Sequence, residues 1–230
     1  MTTDLDLDAL ARSVVLRGLQ REELEHLART MRRRSYRRGE VVFHQGDPGE
    51  SLHVVCHGKL KVVIIGDNGE EAVLAILGPS DVFGEMAVLD GGPRSATVTA
   101  LEPVETAVLS RADFIQLLRR MPSAVDGLLA SLAQTIRQAD EDIGGLMFLD
   151  LHGRLARKLL ELADTYGEPS DGSTLIRVQL TQEELAGMIG ATRASVNKIL
   201  GYFEDRGAIQ RHGRQIVVCK PDILERRATA

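Results

Sequence analysis

Between Pro122 and Leu146 no further proline interrupts the chain, and apolar residues return at an interval of seven: Leu129, Ile136 and Ile143. A second series, Leu132, Ala139 and Leu146, follows three residues later. A seven-residue repeat with that offset lays both series along one stripe of a helix, and its strictness favours a parallel partner helix over three heptads, hence a homodimer. The alternative is a single amphipathic helix lying on its own domain. Either way the stretch divides a β-rich sequence from a helical one.

Upstream, from about Tyr36 to Leu109, short β-rich runs alternate with turn residues: VVFHQGDPGE, SLHVVCHGKLKVVIIGDNGE, EAVLAILGPSD and SATVTALEPVETAVLS. This spacing predicts an antiparallel sandwich or barrel, with Asp67-Asn68-Gly69 turning a hairpin. Downstream, the seam ends around Phe148 to Gly153, the expected hinge, and Asp150 is placed to cap a helix from Leu151 to about Tyr166. YGEPSDGST reads as a polar loop, RVQL as a short strand, and IQRHGRQIVV as a hairpin with Gly213 in its turn.

With 43% hydrophobic and 27% charged residues in 230, the composition is that of an ordinary globular chain of one large or two modest domains. The acidic start, MTTDLDLDALARS, has no basic segment followed by an apolar run, and no apolar stretch approaches membrane-spanning length. A cytoplasmic location without membrane association is expected. Cys56 and Cys219, far apart in apolar runs, read as buried free thiols, and two cysteines cannot build a zinc or iron–sulfur site unaided. The net charge of -5 argues against a blanket polyanion binder, yet residues 151–230 hold 12 basic and 10 acidic side chains against 16 and 23 upstream. A nucleic-acid footprint in that segment would be a small patch. Five arginines between Arg32 and Arg38 form a second basic run, read as a solvated face or as a contact with DNA or a doubly phosphorylated ligand.

Thr181-Gln182-Glu183-Glu184 has the form of a capping box, so a helix begins at Gln182 with Leu185 and Ile189 facing inward. Ala186 allows a close crossing, Gly190 a left-handed turn, and Thr192 caps a second helix with Val196, Ile199 and Leu200 on its inner stripe. This two-helix unit presents its second helix to a DNA major groove. Gln182, Thr192, Arg193, Ala194, Ser195, Asn197 and Lys198 are the candidate DNA-contacting residues, and the hairpin with Arg211, His212 and Arg214 is a candidate wing. An αα-hairpin with a solvated polar face is the competing reading.

The segment FGEMAVLDGGPRSATV holds the remaining chemistry. Gly84 to Ala87 can form a short turn with free N–H groups, Glu85 can accept from a ribose hydroxyl, and Arg94 with Ser95 can grip a phosphate. A structural salt bridge is the plainer alternative. The segment resembles the phosphate-binding cassette of cyclic-nucleotide-binding domains. Followed by FLDLHGRLARKLLELA across the hinge and LTQEELAGMIGATRASVNKIL, it resembles the CRP/FNR family of bacterial regulators over roughly residues 16–220.

The resemblance implies an α+β chain: an N-terminal antiparallel jelly-roll sensor (1–122), a dimerisation helix and hinge (123–149), and a C-terminal winged helix-turn-helix (150–230). It implies effector contacts from Gly84, Glu85, Met86, Ala87, Arg94 and Ser95, with Val62 and Leu74 packing on the base. The family's base-reading threonine and serine fall on Ala139 and Asp140, and another base-facing serine on Ala75. Asp140 can accept from the amino group of adenine or from the N1–H and amino group of guanine. Arg193 matches the family's guanine-reading arginine and Lys198 a second basic contact, while Ala194 replaces a glutamate. Oxygen sensing through an N-terminal cysteine cluster is not expected, because no cysteine precedes Cys56.

The expected function is therefore a homodimeric DNA-binding transcription regulator without enzymatic activity, gated by cyclic AMP or cyclic GMP and needing no metal. Its expected partners are an inverted-repeat operator and RNA polymerase. Two rivals remain open: a regulator that binds DNA without nucleotide, and a cyclic-nucleotide module that controls a protein partner.

Overall fold

The computed structural model describes residues 5–170 and 172–229. They divide into two units, 5–67 with 74–137, and 68–73 with 138–170 and 172–229. The first opens with helices α1 (Leu7–Arg12) and α2 (Arg21–Thr30). Strands β1 (Arg32–Tyr36), β2 (Val41–Phe43), β3 (Ser51–His57), β4 (Leu60–Ile65), β5 (Glu71–Leu77) and β6 (Val82–Phe83) follow. Helix α3 (Glu85–Asp90), strands β7 (Thr97–Ala100) and β8 (Val104–Ser110), helix α4 (Arg111–Arg120) and the start of the long helix α5 (Pro122–Phe148) complete it. The strands form two four-stranded sheets, β1-β8-β3-β6 and β2-β7-β4-β5, the expected antiparallel sandwich.

Alternation along β3 explains how one strand serves two cores. Leu52, Val54 and Cys56 point to a cluster with Leu10, Leu24, Leu27, Phe114, Leu117, Ala124 and Leu128, covering the outer face of the sheet with helices. Val55 points the other way and joins Leu60, Phe83, Val98, Ala100 and Val104 between the sheets. Each fully buried Leu or Phe stabilises the unit by roughly 1.5–3 kcal/mol. The first β-strand starts at Arg32 rather than near Tyr36. RRRSY shows no apolar alternation because β1 is an edge strand, antiparallel to β8, with Arg32 to Ser35 exposed.

The second unit continues α5 and turns at Leu149-Asp150 into α6 (Leu151–Tyr166), with the Asp150 carboxylate accepting from the Gly153 amide at 2.8 Å as a cap. Arg154 closes this corner by donating to the carbonyls of Leu146 and Leu149, at 2.7 and 3.0 Å. Next come β9 (Gly167–Ser170), β10 (Ser173–Ile176), α7 (Gln182–Ile189), α8 (Arg193–Asp205), β11 (Ile209–His212), β12 (Gln215–Val218) and α9 (Pro221–Ala228). The sheet order is β11-β12-β10-β9.

The structure departs from three expectations. RVQL is not a strand, and most of YGEPSDGST is a hairpin rather than a loop, apart from Asp171, which lies outside the described residues. The ladder falls on Ser173–Ile176 because that segment pairs with β12 on one side and β9 on the other. Val178 and Leu180 instead enter the core as isolated buried side chains. Cys219 is half-buried rather than buried, and both cysteines are free thiols.

Candidate effector and nucleic-acid sites

The cassette is a turn built on long-range contacts. Gly84 takes the left-handed conformation (φ 80°) that launches α3, and a Cβ there would lie 2.4 Å from an Arg94 terminal nitrogen, so glycine is required twice over. The Arg94 backbone is pinned by the loop after β2: its N–H donates to the Asp47 carbonyl at 2.8 Å, and its carbonyl accepts from Gly46 at 2.9 Å. Gly49 completes the seat, since a Cβ on it would stand 2.3 Å from the Ala87 Cβ.

Arg94 is only 5% exposed. It donates to the Gly84 carbonyl at 2.8 Å and the Ser51 hydroxyl at 3.3 Å, and its guanidinium lies 4.1 Å from the centre of the Phe43 ring. Its Nε is buried without a hydrogen-bond partner. Burial lowers the Arg94 pKa, while Glu85 and Asp47 act to raise it. Glu85 is half-buried, and burial raises its carboxyl above the usual range against the pull of its own amide and Arg94. Beneath this pair His53 stacks on Phe83 with ring centres 4.8 Å apart and meets the Thr106 hydroxyl at 3.3 Å. Burial, aided by Arg94 and Arg34, pushes its pKa down to about 3, so the ring stays neutral.

Of the expected effector residues, Gly84, Glu85, Ala87 and Arg94 gather around one turn. Ser95 is exposed and faces the Met86 sulfur at 3.6 Å, with Met86 itself 49% exposed. Val62 packs at the margin of the inter-sheet core, whereas Leu74 is 47% exposed on β5. Ala139 and Asp140 stand exposed on α5 in the second unit. Sequence reasoning missed Phe43, Asp47, Gly49, Ser51 and His53. The compact loop HQGDPGE was the available signal for Asp47 and Gly49. Among the described residues no group of three or more His, Cys, Asp or Glu side chains can hold a metal, and no helix is long and apolar enough to cross a membrane.

The helix pair forms as its caps dictate. Thr181 accepts from the Glu184 amide at 3.1 Å while Glu184 accepts from the Thr181 amide at 2.7 Å; Gly190 is left-handed (φ 64°); Thr192 accepts from the Ser195 amide at 3.2 Å. Leu185, Ala186 and Ile189 of α7 bury against Val196, Ile199, Leu200 and Phe203 of α8. Thr192, Arg193, Ala194, Asn197 and Lys198 are exposed, Ser195 and Gln182 half-buried. Arg193, Lys198 and Arg214 hold no ion pair among the described residues, leaving three cations free on this surface. Arg211 differs: it pairs with Glu204 and donates to the Asn197 side-chain oxygen at 3.0 Å.

A β-sandwich with a cassette of this kind, followed by a winged helix-turn-helix, is the build of a DNA-binding regulator carrying its own sensor domain. The sequence pattern of the cyclic nucleotide-binding domain matches residues 33–121, and that of the Crp-like helix-turn-helix domain matches residues 153–227. The CRP-like cAMP-activated global transcriptional regulator of Mycobacterium tuberculosis is 34% identical over 221 residues, 96% of this chain and 99% of the relative. The Cyclic AMP receptor protein of Thermus thermophilus is 34% identical over 213 residues, 93% of this chain and 95% of that one. A solved CooA mutant from Carboxydothermus hydrogenoformans shares the fold, with a TM-score of 0.78 at 22% identity over 99% of this chain and 98% of that chain. The chain belongs to the CRP-like family of transcription regulators.

Proposed function

We propose that the chain acts as a homodimer whose affinity for an inverted-repeat operator is set by a cyclic nucleotide held in the sandwich. The observation that carries this reading is Arg94, a buried cation with an unmet Nε donor and only neutral oxygen partners. An anionic phosphate oxygen outcompetes a carbonyl or hydroxyl for a guanidinium, because charge-assisted bonds are about twice as strong as neutral ones. Gly84 and Ala87 leave room for the phosphate to approach the backbone, and Glu85 supplies an acceptor for a ribose hydroxyl. Met86 and Ser95 border the same turn, with Val62 and Leu74 offered to the base. Cyclic AMP is the first candidate, because the relatives above are named for it; Ala139 and Asp140 keep cyclic GMP in play.

Residues 1–122 serve as sensor, 123–149 as dimer helix and hinge, and 150–230 as the DNA-binding part. On α5, Leu129, Ile136, Ile143 and Leu146 are 49–61% exposed in the single chain, an apolar stripe that a second copy of the helix covers. The first turns of α5 bury Ala124 and Leu128 on their own unit, so the helix serves both readings of its pattern. Gating requires that nucleotide bind one state of the dimer more tightly than the other, since equal affinity shifts nothing. The chain works in the cytoplasm without catalysis and addresses RNA polymerase from the operator. Fluorescence anisotropy of a labelled selected operator, with and without cyclic AMP or cyclic GMP, tests this. Nucleotide-dependent tightening is expected, and equal binding in all three conditions overturns the gating.

A further inference from the structure

On the recognition helix α8, Asn197 is not a free amide. Arg211 reaches from strand β11 to donate to its side-chain oxygen at 3.0 Å, and Gln182 of α7 donates to the same oxygen at 3.1 Å. Arginine has no acceptor, so the atom it meets must be Oδ1 rather than Nδ2, which fixes the orientation of the amide. Arg211 is itself anchored to Glu204, two turns further along α8, and that contact holds the Glu204 carboxyl below its usual range. Both lone pairs of Oδ1 are thus filled, while Nδ2 has no partner among the described residues and Asn197 is exposed.

An unconstrained asparagine reads adenine with both ends of its amide, accepting from N6–H and donating to N7. Here the accepting end is occupied. We infer that the Gln182–Asn197–Arg211 clamp turns Asn197 into a donor-only reader that selects a keto base, guanine first and thymine second, and withholds the bidentate adenine contact. Guanine offers N7 and O6 together and thymine O4; adenine offers N7 alone, beside an N6–H2 donor that opposes the amide's own N–H groups, and cytosine presents only a donor in the major groove and is rejected. Gln182 and Arg211 are positioning residues in this scheme, and it rests on the DNA-binding reading of α8.

Selection of binding sites from a randomised duplex pool tests the inference on the full-length chain, with cyclic AMP present. The position read by Asn197 is the one whose preference disappears in Asn197→Ala. For the wild type that position should enrich guanine or thymine. In Arg211→Met and, independently of the wing, in Gln182→Ala, adenine should rise there by about fivefold relative to guanine, the low end of what a bidentate base contact discriminates. Arg211→Lys, which keeps a donor, should restore the keto preference. A purely structural role for Arg211 would weaken all sequences alike and leave the preference unmoved, which overturns the inference. So would adenine in the wild-type consensus, or no change at any position in Asn197→Ala. Failure to enrich any sequence would instead strike at the DNA-binding reading itself.

Discussion

The helix-turn-helix and the effector cassette are both short and glycine-punctuated, but neighbours in sequence hold the first and distant strands hold the second. Each cap of the helix pair lies within three residues of the group it satisfies: Thr181 with Glu184, Thr192 with Ser195. The cassette's arginine is positioned by Ser51, 43 residues away, by Asp47 and by the Phe43 ring. The reading unit is therefore specified locally, whereas the sensing unit is specified by the closure of a sandwich. A sensor whose site depends on sheet packing can be reshaped by a ligand that binds within that packing, while a preformed helix pair need only be moved as a body.

Substitutions that separate local from distant determinants sharpen this contrast. The largest effect is expected where neither unit suffices alone: Ile136→Asp with Ile143→Asp should convert the dimer to monomers, because each fully buried isoleucine contributes roughly 1.5–3 kcal/mol and the two-fold counts both twice. Sedimentation velocity checks this, and a variant that still sediments as a dimer places the interface elsewhere. Within the sensor, Gly49→Ala should cost about 1–3 kcal/mol, since its Cβ meets Ala87 and Arg94 and the packed seat must spread. An unchanged urea midpoint would show the seat to be loose.

The buried histidine gives the sensor a pH dependence of its own. His53 has a pKa of about 3 when folded against 6.5 for a free imidazole, so both states are neutral above pH 6.5 and its contribution is complete there. As pH falls below 6.5 the unfolded chain binds a proton that the folded one refuses, and stability drops by up to about 1.4 kcal/mol per pH unit until pH 3. His53→Phe, which keeps a ring against Phe83, should lose about 2 kcal/mol less than the wild type between about pH 7 and 5 in urea titrations. Equal pH slopes would mean that His53 takes up its proton in the folded state. The smallest effect belongs to the local device: Thr181→Ala should cost about 1 kcal/mol by removing one cap, and a cost of about 3 kcal/mol would show that Thr181 does more than cap.

This contrast also explains which parts of the molecule were legible in the sequence. Capping residues carry their meaning within one turn, so the starts of α6, α7 and α8 and the end of α7 follow from Asp150, Thr181, Gly190 and Thr192. Strand pairing carries no such local mark. β1 was obscured because its arginines face solvent, and β9 because Gly167 and Pro169 read as loop until β10 is there to pair with. The cassette was legible through Gly84, Glu85 and Arg94, which lie together in the chain. Phe43, Gly49 and His53 were not, because only the closed sandwich brings them to Arg94. Arg211 looked like a wing residue for DNA; its anchoring to Glu204 and Asn197 depends on where the hairpin folds back.

The central claim is that Arg94, positioned from afar, is the residue through which a nucleotide speaks to the fold. Titration calorimetry of cyclic AMP into the wild type and Arg94→Ala tests it most directly, with circular dichroism confirming that the variant keeps the sandwich. The account predicts measurable binding by the wild type and a loss of at least about tenfold in the variant, the least that removing a charge-assisted hydrogen bond should cost. Equal affinity in the two folded proteins would contradict it.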